Sequence, residues 1–271
     1  MSILIGLTVG LVLGLTGAGG SIFAVPLLMA GLGWPITQAS TASLLAVAIS
    51  AAVGAALAWR HSYVRYRAAT LMALVGTFFA PAGIGLADRL PQPTLTKIFS
   101  LVLAIVGVRM FLAARRCGED AAVVRSAVAG EGRSSRGRVG SVNPATGRLV
   151  WTQAVAVTMS LIGACTGFLS GLLGVGGGFV IVPALRATVP LSMHSAVATS
   201  LMAIALTSSG TFLSGLLHGR TVPLAAVLPF VGGAVLGMVL GRTVAGRISG
   251  PRLQQSFAAL AVAVSIVMAF A

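Results

Sequence analysis

Apolar residues run along this chain in long unbroken stretches, without the alternation of a strand or the single apolar face of a surface helix. Eight such stretches can be read, at about 2 to 30, 37 to 58, 68 to 87, 96 to 113, 149 to 185, 194 to 217, 222 to 241 and 253 to 271. Roughly 20 residues of helix cross a hydrocarbon layer of ~30 Å, so the pattern predicts an all-α polytopic membrane protein. Two of the stretches are interrupted, at Gly17-Ala18-Gly19-Gly20-Ser21 and at Gly174-Val175-Gly176-Gly177-Gly178.

The interruptions are chemically unlike the other glycines. Gly6, Gly10, Gly14 and Gly163, Gly167, Gly171 recur every fourth residue, which makes a ridge where another helix can come close. In the two runs, glycine stands on all sides, and each one costs a helix interior about 1 kcal/mol relative to alanine. The helix should break there. Irregular backbone at membrane depth survives only where protein or a watery cavity satisfies its polar groups. A helix restarting after the break, over Ile22 to Met29 or Phe179 to Leu185, aims free N–H groups and its positive dipole end back into the glycines. Such an end suits an anion, and the missing side chains let an oxyanion reach the backbone.

The two broken segments are copies. A shift of 157 residues lays Gly6, Gly10, Gly14, Leu15, Gly17, Gly19, Gly20, Val25, Pro26 and Leu28 onto identical residues from Gly163 to Leu185, ten identities in 23 positions. The same shift pairs Ser43 with Ser200 and His61 with His218, and a shift of 158 pairs Pro93, Leu95 and Phe99 with Pro251, Leu253 and Phe257. The chain therefore divides into a first transmembrane repeat at 1–113, a basic Gly/Ser/Arg-rich linker at 114–148 and a second transmembrane repeat at 149–271.

Charge orients the copies. If the first segment of each half crosses, the 18 Lys and Arg divide 12 to 6 across the membrane; if it dips in and returns, the halves are inverted and the division is 15 to 3. In the second case only Arg89, Lys97 and Arg220 face the outer side, as the bias of basic residues towards the cytoplasm favours. The expectation is a pair of inverted repeats, each opening with a re-entrant broken helix, and a cytoplasmic linker. The opening residues Met1 to Ile5 carry no basic stretch, so a removable signal peptide is not expected.

The composition, 57% hydrophobic and 8% charged, excludes a soluble domain. The net charge of +14 lies almost wholly between apolar segments, with no interleaved aromatics, which argues against nucleic acid. Cys117 and Cys165 form no CxxC pair, and no metal or cofactor is expected. The only carboxylates are Asp88, Glu119, Asp120 and Glu131, three of them in the linker, so a buried acid relay is excluded. His194 and the repeat-matched His61 and His218 near segment ends are the candidates for proton coupling if there is any. No GxSxG, HExxH or Ser-His-Asp set stands out, so an enzyme is not expected. A channel would share the breaks and differ by turnover.

Gly14-Leu-x-Gly17-x-Gly19-Gly20-x5-Pro26 and Gly171-Leu-x-Gly174-x-Gly176-Gly177-Gly178-x4-Pro183 resemble the paired signature of the TauE/SafE sulfite exporter family. Ser21 replaces the third glycine of the first copy, and Ala42-Ser43-Leu44 stands where the second copy has Thr199-Ser200-Leu201. The resemblance implies transport of sulfite, sulfoacetate or related organosulfonates across the bacterial inner membrane. The anion is expected between the breaks, at Gly17, Gly19, Gly20, Ser21 and Ser43 of one copy and Gly174, Gly176, Gly177, Gly178, Thr199 and Ser200 of the other. Further hydroxyls at Thr41, Thr207, Ser208 and Ser209 lie in the following segments. The expected partners are this small anion, the lipid bilayer and, as a homodimer, a second copy of the chain.

Overall fold

The structure, a computed structural model, describes residues 1–17, 20–59, 65–105, 107–108, 151–188, 193–221, 223–245 and 265. Gly19, His61, Cys117, the linker 114–148 and, apart from Ser265, the last apolar segment lie outside them. The regular elements among the described residues are all helices: α1 Ser2–Thr16, α2 Gly20–Leu32, α3 Ile36–Trp59, α4 Tyr66–Arg89, α5 Gln92–Ile105, α6 Gln153–Leu173, α7 Gly178–Thr188, α8 Met193–Leu217 and α9 Leu224–Ala245. Five are long and apolar enough to cross a membrane: those over Ile36–Ala58, Tyr66–Arg89, Gln153–Leu173, Ser195–Leu217 and Leu224–Val244.

The distribution of side chains is that of a protein solvated by lipid. Large apolar groups such as Leu74, Phe78, Leu161, Leu213 and Leu236 are exposed, while Thr166, Ser170, Ser200 and Thr211 are buried. In water the first set would form a large adhesive patch. Small hydroxyls survive inside by bonding their own helix, as Thr211 does to the Thr207 carbonyl at 2.8 Å and Ser50 to that of Ala46 at 2.6 Å.

Both predicted breaks are present, and both begin the same way. Gly17 and Gly174 take left-handed φ values of 74° and 70° and donate N–H bonds to Leu13 and Ser170, each 2.8 Å long. This is the glycine helix stop, reached four residues after equivalent carbonyls. The chain then doubles back. Gly20 lies against Val9 and Leu13 and Gly31 against Ile5, so α2 returns along α1 as a hairpin. In the second copy Gly177 lies against the Thr166 carbonyl, the counterpart of Val9. At 15 residues, α1 is about 22 Å long, too short to cross by itself.

The glycine ridges show where the returning copies meet. A Cβ on Gly6, Gly10 or Gly14 would strike the backbone of α9 at Phe230, Ala234 and Met238 respectively. A Cβ on Gly163, Gly167 or Gly171 would strike the backbone of α4 at Met72, Gly76 and Ala80, the equivalent positions of the other copy. In both pairs successive contacts advance together, so the helices run parallel. The first helix of each half is thus seated on the fourth helix of the other. The equivalent helices α3 and α8, the most buried of the five, run in opposite directions: Gly54 late in α3 meets Leu201 early in α8, whereas Val47 and Ser208 flank Gly176 together.

Candidate functional site

The second break is the better-defined site. Gly176 and Gly177 follow Gly174 into the left-handed region, with φ of 74° and 62°, where an L side chain is strained. Residues Gly174, Val175, Gly176, Gly177 and Gly178 are all buried. Three helices clasp them. Gly174 abuts Ser40 of α3, Gly176 lies between Val47 of α3 and Ser208 of α8, and Gly177 abuts Thr166 of α6. Helix α7 begins at Gly178, and Val180 closes its first turn by donating to the Gly177 carbonyl at 3.1 Å. The remaining first-turn N–H groups of an α-helix have no partner within it and face the preceding loop.

The hydroxyls around this break differ from those elsewhere. Ser43, Thr207 and Ser208 are fully buried, and their oxygens have no hydrogen-bond partner among the described residues. Leaving one buried polar group unsatisfied costs about 1–3 kcal/mol. Ser208 is the closest, since a Cβ on Gly176 would lie 2.5 Å from its Oγ. Ser43 stands between Ser40 and Val47 on the face of α3 that meets the glycines, because residues three, four and seven apart share a helix face. Thr207 turns its methyl to Gly76 of α4. By contrast Ser170 and Thr211 bond to each other at 3.3 Å, and Thr166 donates to the Gly163 carbonyl at 2.9 Å.

At the first break the equivalent groups are engaged by the protein. Gly17 is pressed against Val197 of α8, the counterpart of Ser40. The Ser200 hydroxyl lies 3.0 Å from the Gly17 carbonyl and 2.8 Å from that of Val197, both of which accept. Thr199 Oγ1 accepts the Arg65 backbone N–H at 3.0 Å and so fastens the entry to α4. Gly20 is held against α1 and Ser21 is buried. His194 lies in the first turn of α8, its side chain outside the described set.

The structure therefore brings Gly174, Gly176, Gly177 and Gly178 together with Ser208, and sets Ser43 on the face of α3 that meets them. It places Gly17, Thr199 and Ser200 at a different level. Along α8, Val197 and Ser208 are eleven residues apart, about 16 Å at 1.5 Å per residue. Sequence reasoning noted Ser208 only as one hydroxyl among several. Its repeat counterpart is Ala51, so no pairing between the copies marks it out.

Comparisons with known proteins agree with this architecture. The family described as sulfite exporter TauE/SafE matches residues 2–268. A probable membrane transporter protein of Xylella fastidiosa (strain 9a5c) is 32% identical over 264 residues, covering 95% of this chain and 90% of the relative. Its counterpart in Xylella fastidiosa (strain Temecula1 / ATCC 700964) is 31% identical over the same length and coverage. No solved structure gives a significant match. With its signature glycines at paired helix stops and its polar groups turned inward, the chain belongs to the sulfite exporter TauE/SafE family, as a multi-pass membrane transporter and not an enzyme.

Proposed function

We propose that this transporter carries small sulfur-containing oxyanions, sulfite, sulfoacetate or related organosulfonates, across the bacterial inner membrane, and that the second break is its principal binding site. The observation that carries the reading is the buried hydroxyl of Ser208 against Gly176, without a hydrogen-bond partner among the described residues, with Ser43 on the adjoining face of α3. A tetrahedral oxyanion accepts from several donors at once. The first-turn N–H groups of α7 and these hydroxyls supply them without a buried positive charge, so the anion is held weakly enough to leave. Hydrogen bonds to a charged group contribute about 1.5–3 kcal/mol each, which suits a carrier that must also release. The matched but engaged groups at Gly17, Thr199 and Ser200 support a second, alternative position for the anion along α8. Gly19 and Gly20 belong to that position in the same reading.

The opposite directions of α3 and α8 support two copies facing opposite sides of the membrane, with the linker 114–148 in the cytoplasm. Exchange between the two faces then needs no acid relay.

Uptake of labelled sulfite, sulfoacetate and sulfate into proteoliposomes tests the proposal with the parent protein, Gly19→Leu, Gly176→Leu and Ser208→Ala. The expected result is uptake by the parent, its loss in both leucine variants, and a reduction of about tenfold or more in Ser208→Ala. Undiminished uptake in folded variants would remove the site. Absence of uptake for every oxyanion would remove the cargo.

A further inference from the structure

Arg220 holds a position that the orientation of charge alone does not explain. Helix α8 ends at Leu217, the following turn holds Gly219 at a φ of 79°, and the Arg220 N–H reaches back to the Gly215 carbonyl at 3.1 Å. This wrapped helix end fixes the Arg220 backbone. Its guanidinium donates from Nη2 to Asp88 Oδ1 at the end of α4, 2.6 Å away. The Arg220 side chain is only 11% exposed against 41% for Asp88, and its Nε is buried with no hydrogen-bond partner among the described residues. A brace between two helix ends would need one edge of the guanidinium and no such burial. Arginine presents five donors in a fixed fork, and here one edge of that fork is left over.

Arg220 also lines a cavity of about 430 Å³, together with Thr37, Gln38, Thr41, Gly219 and Thr221. Three of these are in the first turns of α3, and Ser40 in the same turns abuts Gly174. The cavity therefore opens beside the second break, with only one face of α3 between them. We infer that Arg220 is the anion-recruiting residue of a vestibule to the second break, with Asp88 fixing one edge of the guanidinium and leaving the other for a sulfonate or sulfate oxygen. The inference rests on the small-oxyanion reading above and adds its point of entry. Gln38 and the threonines provide further polar contacts, while the fixed positive charge raises the local concentration of anions.

The test uses the full-length protein in detergent, with Cys117→Ser and Cys165→Ser, and Gln38→Cys as a reporter in the cavity. Its rates of reaction with an anionic sulfonatoethyl and a cationic trimethylammonioethyl methanethiosulfonate are compared with those of a free thiol. A fixed cation facing the reporter should favour the anionic reagent by roughly tenfold, with the attraction of one reagent and the repulsion of the other combined. Arg220→Gln should bring the ratio to that of the free thiol, Arg220→Lys should keep most of it, and Asp88→Asn should raise it. Millimolar sulfate should slow the anionic reagent in the parent but not in Arg220→Gln. A ratio unchanged by Arg220→Gln, or lowered by Asp88→Asn, would overturn the inference. Should Arg220→Gln fail to fold, the direction of change in Asp88→Asn decides. A charge preference in a protein whose proteoliposomes take up no oxyanion would leave recruitment standing and remove the cargo.

Discussion

Replacing Gly176 with alanine separates backbone strain from occupation of the site. The residue has a φ of 74°, and an alanine held there costs about 1–2 kcal/mol. Gly33, in the turn between α2 and α3, has a φ of 65° and nothing within 4 Å of a Cβ, so Gly33→Ala carries the strain alone. At Gly176 the new methyl would also lie 2.5 Å from Ser208 Oγ and 3.2 Å from Val47 Cγ1. Ser208 can rotate away, since its Cβ is 3.7 Å distant, and the fold tolerates the change. The displaced hydroxyl no longer serves the loop. Both variants should therefore lose a similar roughly 2–6 °C in Tm, measured by thermal unfolding in detergent. Only Gly176→Ala should lose sulfite uptake in proteoliposomes, by about 10- to 100-fold for one lost donor to a charged ligand. Adding Ser208→Ala leaves the strained backbone as it is and should not recover uptake. Uptake by Gly176→Ala equal to that of Gly33→Ala would refute the assignment of the anion to this break.

Other consequences follow from the packing and the charge. Gly167→Ala places a methyl in the Gly76 backbone and should destabilise by about 1–3 kcal/mol, while Gly85→Ala, open on the same α4, should be neutral or stabilising by up to about 1 kcal/mol; equal Tm values would contradict the seam. Thr199→Val removes the acceptor of the Arg65 N–H and should cost about 1–3 kcal/mol of stability while raising the KM for sulfite through the second position, and an unchanged KM would take Thr199 out of that position. Reporter tags should place the linker 114–148 in the cytoplasm and the C-terminus on the opposite face, and finding both on one side would exclude three crossings in the second half.

Much of this arrangement is written in the glycines. Their spacing gives the repeat, their density gives the breaks, and Gly17 and Gly174 stop their helices at equivalent carbonyls. The partner of each ridge is not legible, because a glycine every fourth residue states that a backbone comes close without stating whose. Only the structure shows that Gly10 meets Ala234 of the other half and not a neighbour in its own. The same limit applies to hydroxyls. Ser43 and Ser200 occupy equivalent positions, yet Ser200 is spent on the Gly17 carbonyl while Ser43 has no partner among the described residues, a difference made by tertiary contacts. Arg220 counted in the sequence as a charge on the minority side, and its burial beside Asp88 depends on α4 and α8 ending together.

The two seams in which glycine ridges meet bare backbone also decide which parts can move as bodies. Side chains can slide past one another, but backbones in direct contact over three turns have no soft layer between them. A rearrangement that opens the protein first to one face and then to the other must keep α1 with α9 and α4 with α6. The moving pieces are therefore assembled across the duplication, each from both copies. The sliding surface then falls on the crossed pair α3 and α8, beside the glycine loops. Each of the two tightly seated pairs takes one helix from either repeat, so neither repeat holds a complete pair by itself.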